Sequence, residues 1–180
     1  MKTIVIFVTT LDGKITKWGD PHVFRWSSAE DQKYFKKMWA ESRLTIMGSA
    51  TFDFDPVNPA PNTLLVILTK NLAKYADKVI PGQIEFSDET PAQIHDRFHS
   101  AGYEQMLVVG GPHVATSFFA ANLVDELWLT LEPKIFGTGG NFATEMNLDV
   151  NLQLMSVEKV NERGTLITKY SVVKDTTAIS

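Results

Sequence analysis

Three strand ends in this chain offer groups that could hold phosphate, and one helix carries a carboxylate on its apolar side. The most informative stretch is Leu107-Val108-Val109-Gly110-Gly111-Pro112-His113-Val114-Ala115-Thr116, an apolar strand pattern that enters a Gly-Gly pair and continues as a helical pattern. Two glycines remove both Cβ atoms where a ligand would approach the backbone. Pro112 suits the first helical position, where a missing N–H costs nothing. The N–H groups of the turn that follows carry partial positive charge and suit an anion. The alternative is a tight strand-to-helix turn with no ligand. A dinucleotide-binding G-x-G-x-x-G fingerprint is not met, because no third glycine stands in register. Met47-Gly48-Ser49-Ala50-Thr51 repeats the theme with a glycine and hydroxyls, and Thr69-Lys70 adds a hydroxyl and a cation. Each of these two reads equally as an ordinary cap. Together the three junctions suit a cofactor with several phosphates. A fourth loop, Thr9-Thr10-Leu11-Asp12-Gly13-Lys14-Ile15, contains an Asp-Gly turn signal at a strand end, where ligands enter open α/β sheets.

The carboxylate is Asp31. Ser28 is a good helix N-cap, and Asp31 follows three residues on, much like a capping box. At about 100° per residue, Tyr34, Phe35, Met38 and Trp39 form one apolar arc with Asp31 near its middle, while Lys33, Lys36 and Lys37 lie opposite. A carboxylate turned toward a core must be paired or must face a polar ligand in a cleft. Helping the cap and the helix dipole is the competing role.

The elements that would position these groups follow from periodicity. Apolar runs at Ile4–Val8, Leu44–Met47, Leu64–Leu68, Met106–Val109 and Leu127–Leu131 read as strands, with helices at Ala29–Ala40, Pro91–Ala101 and His113–Ala121. Alternation of the two predicts an α/β fold with a mostly parallel sheet covered by helices. Leu152–Val160 and Thr165–Val173 read as a C-terminal antiparallel hairpin turning at Asn161-Glu162-Arg163-Gly164. Pro56–Asn62 reads as a surface loop. One domain over 1–174 and a frayed tail at 175–180 complete the expected organisation.

Composition narrows the function. The chain has 180 residues, 44% of them hydrophobic, enough for one substantial core. A formal charge of −4 without a basic run argues against nucleic acid or an anionic membrane as partner. With no cysteine, thiolate chemistry and Cys-ligated zinc are excluded. The apolar start Met1–Val8 ends too early for a signal peptide or a membrane span, so a cytoplasmic protein is expected. His95 and His99 have H-x-x-x-H spacing, but they flank the apolar face of Ile94, Phe98 and Ala101 toward solvent, so no metal site is expected.

In order along the chain, Leu11-Asp12-Gly13-Lys14-Ile15, Trp26 through Asp31 with Phe35, Ile46-Met47-Gly48 with Thr51-Phe52, Val108-Val109-Gly110-Gly111, and Leu123 through Leu127 with Pro133 and Phe136-Gly137 are short motifs. The chain that carries them resembles the dihydrofolate reductase superfamily. It is most similar to the branch containing the reductase domain of the riboflavin-biosynthesis deaminase–reductase. The resemblance implies a dihydrofolate reductase-like fold, NADPH as hydride donor, and a pterin, pyrimidine or related heterocycle as acceptor. It implies cofactor contacts at Ile15, Gly48, Ser49, Thr51, Thr69 and Lys70, and from Gly110 and Gly111 through Pro112, His113, Val114 and Ala115. It implies Asp31 as the catalytic, ring-binding carboxylate, with Asp12, Trp26 and Phe35 also on the substrate side. A cis Gly110–Gly111 peptide and a homodimer formed through the C-terminal region are further implications. The chain departs from the pattern twice. Ser49 stands where many relatives have an arginine, leaving Lys70 to meet a 2′-phosphate, and Val109 stands where riboflavin-pathway reductases have a glutamate. These departures keep open a non-catalytic binding protein of the same fold, or a small-molecule reductase of broad specificity.

Overall fold

The computed structural model describes residues 1–54, 59 and 61–174. The loop expected at 56–62 therefore lies partly, and the expected frayed tail wholly, outside the described residues. Strands β1 (Lys2–Thr10), β2 (Leu44–Gly48), β3 (Leu64–Leu68), β4 (Ile84–Ser87), β5 (Gln105–Gly110), β6 (Glu126–Glu132), β7 (Asn151–Lys159) and β8 (Leu166–Val173) form one sheet in the order β4-β3-β2-β5-β1-β6-β8-β7. The first six in that order pair in parallel, and β8 and β7 add on antiparallel as a hairpin. The helices are α1 (Ala29–Glu41), α2 (Ser49–Phe54), α3 (Pro91–Ser100) and α4 (Pro112–Ala120). Among the described residues no helix is long and apolar enough to cross a membrane.

The parallel strands are mostly apolar because both faces are covered. Every residue of β2 is buried. Successive side chains point to opposite faces, so Val5, Ile46 and Val108 pack with Phe118 and Phe119 of α4 and Ile94 and Phe98 of α3. Ile4, Ile6 and Leu107 take the other face, under Tyr34, Phe35 and Met38 of α1. Ser28 caps α1 as its sequence predicts, its Oγ accepting from the Asp31 N–H at 3.2 Å. Thr90 and Gln93 form a full capping box on α3 behind Pro91.

Three differences from the periodicity have physical causes. β1 runs on to Thr10 because Thr9 and Thr10 stay paired with Leu131 and Glu132. β4 is four residues long, too short for a periodic signal, and exists only by pairing with β3. β7 alternates in sequence but is exposed along its whole length. It is the outer strand, and a register shift between Leu154 and Ser156 breaks its alternation.

Candidate active site

A cavity of about 500 Å³ opens where β1, β2 and β5 end, a volume in the range of small-molecule sites. Between Ile46 and Met47 the β2–β5 register shifts, so that Met47 faces Gly110 and Val109 is skipped. Val109, left unpaired with β2 by that irregularity, walls the cavity with Ile6, Phe35 and Trp39.

One end of the cavity is built around α4. Its N-cap is Gly111, with no side-chain cap, Pro112 in the first turn and no acidic residue there. The peptide between Gly110 and Gly111 is cis. Space at this turn demands glycine: a Cβ on Gly111 would lie 2.9 Å from Thr51 Oγ1, and one on Gly48 would lie 3.1 Å from Val114 Cγ2. The result is a close meeting of the β5–α4 turn with the start of α2. Ser49 and Thr51 line the cavity beside the uncapped helix end, a donor set suited to phosphate oxygens.

The other end belongs to α1. Asp31 lines the cavity although it is only 5% exposed. Burial raises its pKa, the hydroxyls of Thr130 and Ser27 pull it back, and the nearby charge of Glu132 raises it further. Glu132, at the end of β6, is itself buried and holds α1 in place. Its carboxylate accepts from the Ser28 N–H at 2.6 Å and from the Thr165 hydroxyl at 2.9 Å. Asn161 in the β7–β8 turn donates to Glu30 at 3.1 Å, tying the hairpin to the same helix end. The Tyr34 hydroxyl is buried without a partner among the described residues, and burial followed by the charges of Asp31 and Glu126 pushes its pKa up.

Of the residues singled out by sequence, the structure brings Ile15, Asp31, Phe35, Gly48, Ser49, Thr51, Gly110, Gly111, Pro112, His113 and Val114 together around this one cavity. Five others lie elsewhere. Asp12 braces two loops: its carboxylate accepts from the Thr10 hydroxyl at 2.5 Å and from the N–H groups of Gly137 and Phe136 at 2.7 and 3.2 Å. Those bonds, led by Thr10, hold its pKa low. Trp26 is not at the mouth. It is buried edge-on to Phe136, in the segment after β6, at 5.1 Å. Ala115 faces the core on α4. Thr69 and Lys70 follow Leu68, a residue that does line the cavity. The Thr69 hydroxyl accepts from the Asn71 N–H, and Lys70 Nζ donates to the Asp88 carbonyl at 3.0 Å.

Sequence reasoning missed several site residues. Pro21, His22, Val23 and Phe24 line the cavity from a segment without periodicity, and no local signal marks them. Thr130 and Glu132 did carry one. Glu126, Trp128, Thr130 and Glu132 alternate along a strand that is paired on both sides, so polar residues on it must meet partners inside. Among the described residues no group of three or more His, Asp or Glu side chains could hold a metal ion.

A family model, the RibD C-terminal domain, matches residues 1–166. The chain belongs to the RibD C-terminal domain family. No curated protein matches it in sequence. Solved structures do match in fold. A pyrimidine reductase-like protein from Corynebacterium diphtheriae is 16% identical, with a TM-score of 0.79 over 97% of this chain and 92% of that one. A dihydrofolate reductase from Enterococcus faecalis, complexed with NADP(H), is 22% identical, with a TM-score of 0.68 over 96% and 97%. A deaminase/5-amino-6-(5-phosphoribosylamino)uracil reductase from Thermotoga maritima is 18% identical, with a TM-score of 0.73 over 96% of this chain and 56% of that one. The fold of this RibD C-terminal domain is therefore that of the dihydrofolate reductases.

Proposed function

We propose that this chain is an NADPH-dependent reductase of a pterin-, pyrimidine- or related heterocyclic small molecule. The observation that carries the reading is a single cavity with an uncapped helix end at one side and a buried carboxylate at the other. The cofactor fits the first side. Gly48, Ser49, Thr51 and the turn from Gly110 through Val114 would hold its phosphates, and Lys70 would meet the 2′-phosphate from just beyond β3. Lys70 has a neutral carbonyl as its partner and so keeps its charge for an anion. When bound, reduced nicotinamide supplies a hydride for the carbon of a C=N or C=O bond and leaves oxidised. The nitrogen or oxygen of that bond takes a proton. Asp31 orients the ring and, with its raised pKa, holds that proton or relays one from water. Ile6, Phe35, Trp39 and Val109 exclude bulk water from the acceptor.

Asp31→Asn tests this. NADPH affinity should stay nearly intact while turnover falls roughly a hundredfold, the scale of acid–base contributions. The loss should shrink at low pH, where solvent supplies the proton. Wild-type turnover in a destabilised mutant would make Asp31 a helix cap and nothing more. Binding without turnover across a panel of pterins, pyrimidines and flavins would favour a non-catalytic protein instead.

We also read residues 1–174 as one reductase domain that forms a homodimer. Leu152, Leu154, Met155 and Val157 are all exposed on β7, an apolar edge suited to a second copy. Monomeric mass in light scattering at micromolar concentration would overturn the dimer.

A further inference from the structure

The cavity has opposite electrostatic character at its two ends, and we infer from this that the acceptor is a planar ring compound, neutral or cationic, that carries no phosphate. The inference rests on the reductase reading and names its substrate class. At the α4 end the first-turn N–H groups are left for a ligand. At the α1 end the chain's own side chains have taken up several of the donors. Glu132 takes the Ser28 N–H, Ser28 Oγ takes the Asp31 N–H, and the Glu30 carboxylate is held by Asn161 and by its own backbone N–H. An anion arriving there would meet the Asp31 carboxyl on the cavity wall, with the buried carboxylate of Glu132 close to it.

Side chains do not make up the difference. Among the described residues that line the cavity none is lysine or arginine, and its titratable side chains are Asp31, His22 and His113. His22, which lines the cavity, and Arg25, which does not, are both bound to Asp20, at 2.6 and 2.9 Å. Lys14 is held by Asn141 at 2.8 Å, and Lys134 by the Trp26 carbonyl. Residues 55–60 are Asp, Pro, Val, Asn, Pro and Ala, so they bring no cation either. A phosphate needs charge-assisted donors to leave water. What this end offers is an apolar slot lined by Phe35, Val109 and Val23 with the Asp31 carboxyl group in it. That slot takes a flat ring bearing N–H donors.

Two aromatic probes of similar size and opposite charge test the inference on the NADPH-saturated protein: benzamidine, a cation, and phenyl phosphate, an anion. Saturation-transfer NMR reports binding of each independently of turnover. Benzamidine should bind, should weaken at least tenfold in Asp31→Asn, and should weaken in the wild type as falling pH protonates Asp31. Phenyl phosphate should give no signal while NADPH is bound. Phenyl phosphate binding beside NADPH, or benzamidine failing to bind, overturns the inference and leaves the reductase reading standing. Failure of NADPH itself to bind, seen separately by fluorescence titration, overturns the reductase reading.

Discussion

Two helix N-termini, those of α1 and α4, face one cavity and are finished in opposite ways. Helix α1 has a serine cap, two acids in its first turn and a buried glutamate on its N-cap backbone. Helix α4 has a glycine cap, a proline and no acid. Both ends carry the same partial positive charge from unpaired N–H groups. In α1 that charge is spent within the chain, on stability and on holding a carboxylate in place. In α4 no side chain among the described residues caps it. The lesson is that the same partial charge is answered within the chain at one end and left bare at the other by what the sequence withholds.

The most damaging way to erase the contrast is to finish α4 as α1 is finished. Gly111→Asp would set a carboxylate on the bare N-cap, and NADPH affinity should fall at least a hundredfold, about 2.7 kcal/mol. Gly111→Asn adds the same bulk against Thr51 without the charge and should lose clearly less. Equal losses in a fluorescence titration would show that space, and not charge, distinguishes the two ends.

Next in size is the bracing of α1. Glu132→Ala would strand the Ser28 N–H and the Thr165 hydroxyl and remove two hydrogen bonds to a charged acceptor, for a loss of about 2 kcal/mol in denaturant unfolding. Glu132→Gln is the sharper probe. Glu132 raises the pKa of Asp31, so removing its charge lowers that pKa. Less Asp31 then remains protonated at a given pH, and the alkaline limb of the turnover profile should move to lower pH. An unmoved limb would uncouple the two carboxylates.

Lys70→Ala should weaken NADPH about tenfold and leave NADH unchanged, consistent with one charge-assisted contact at an exposed position. Equal binding of both cofactors before and after the change would remove Lys70 from the 2′-phosphate. The smallest effect is expected at Ser28. Ser28→Ala deletes the cap of α1 and should cost about 1 kcal/mol of stability without changing NADPH affinity.

Much of this molecule could be read in one dimension. The apolar runs marked five of the six parallel strands because strands buried on both faces carry no polar punctuation. The Gly-Gly-Pro turn marked the bare end of α4 because that feature is local: glycine, proline and the first N–H groups lie within a few residues of each other. Asp31 was visible as a carboxylate inside an apolar arc, since helical phase follows from spacing alone. Tertiary structure decided what sits across from each of these. Asp12 and Trp26 have site-like neighbours in sequence, yet loop bracing at Gly137 and packing on Phe136, each more than 100 residues away, draw them out of the cavity. Glu132 reaches α1 only because β6 lies next to β1 and the β8 end delivers Thr165 to it. Periodicity reports which way a side chain faces. Only strand order decides which charge it meets there, and that meeting makes one end of the cavity acidic while the other keeps a bare helix end.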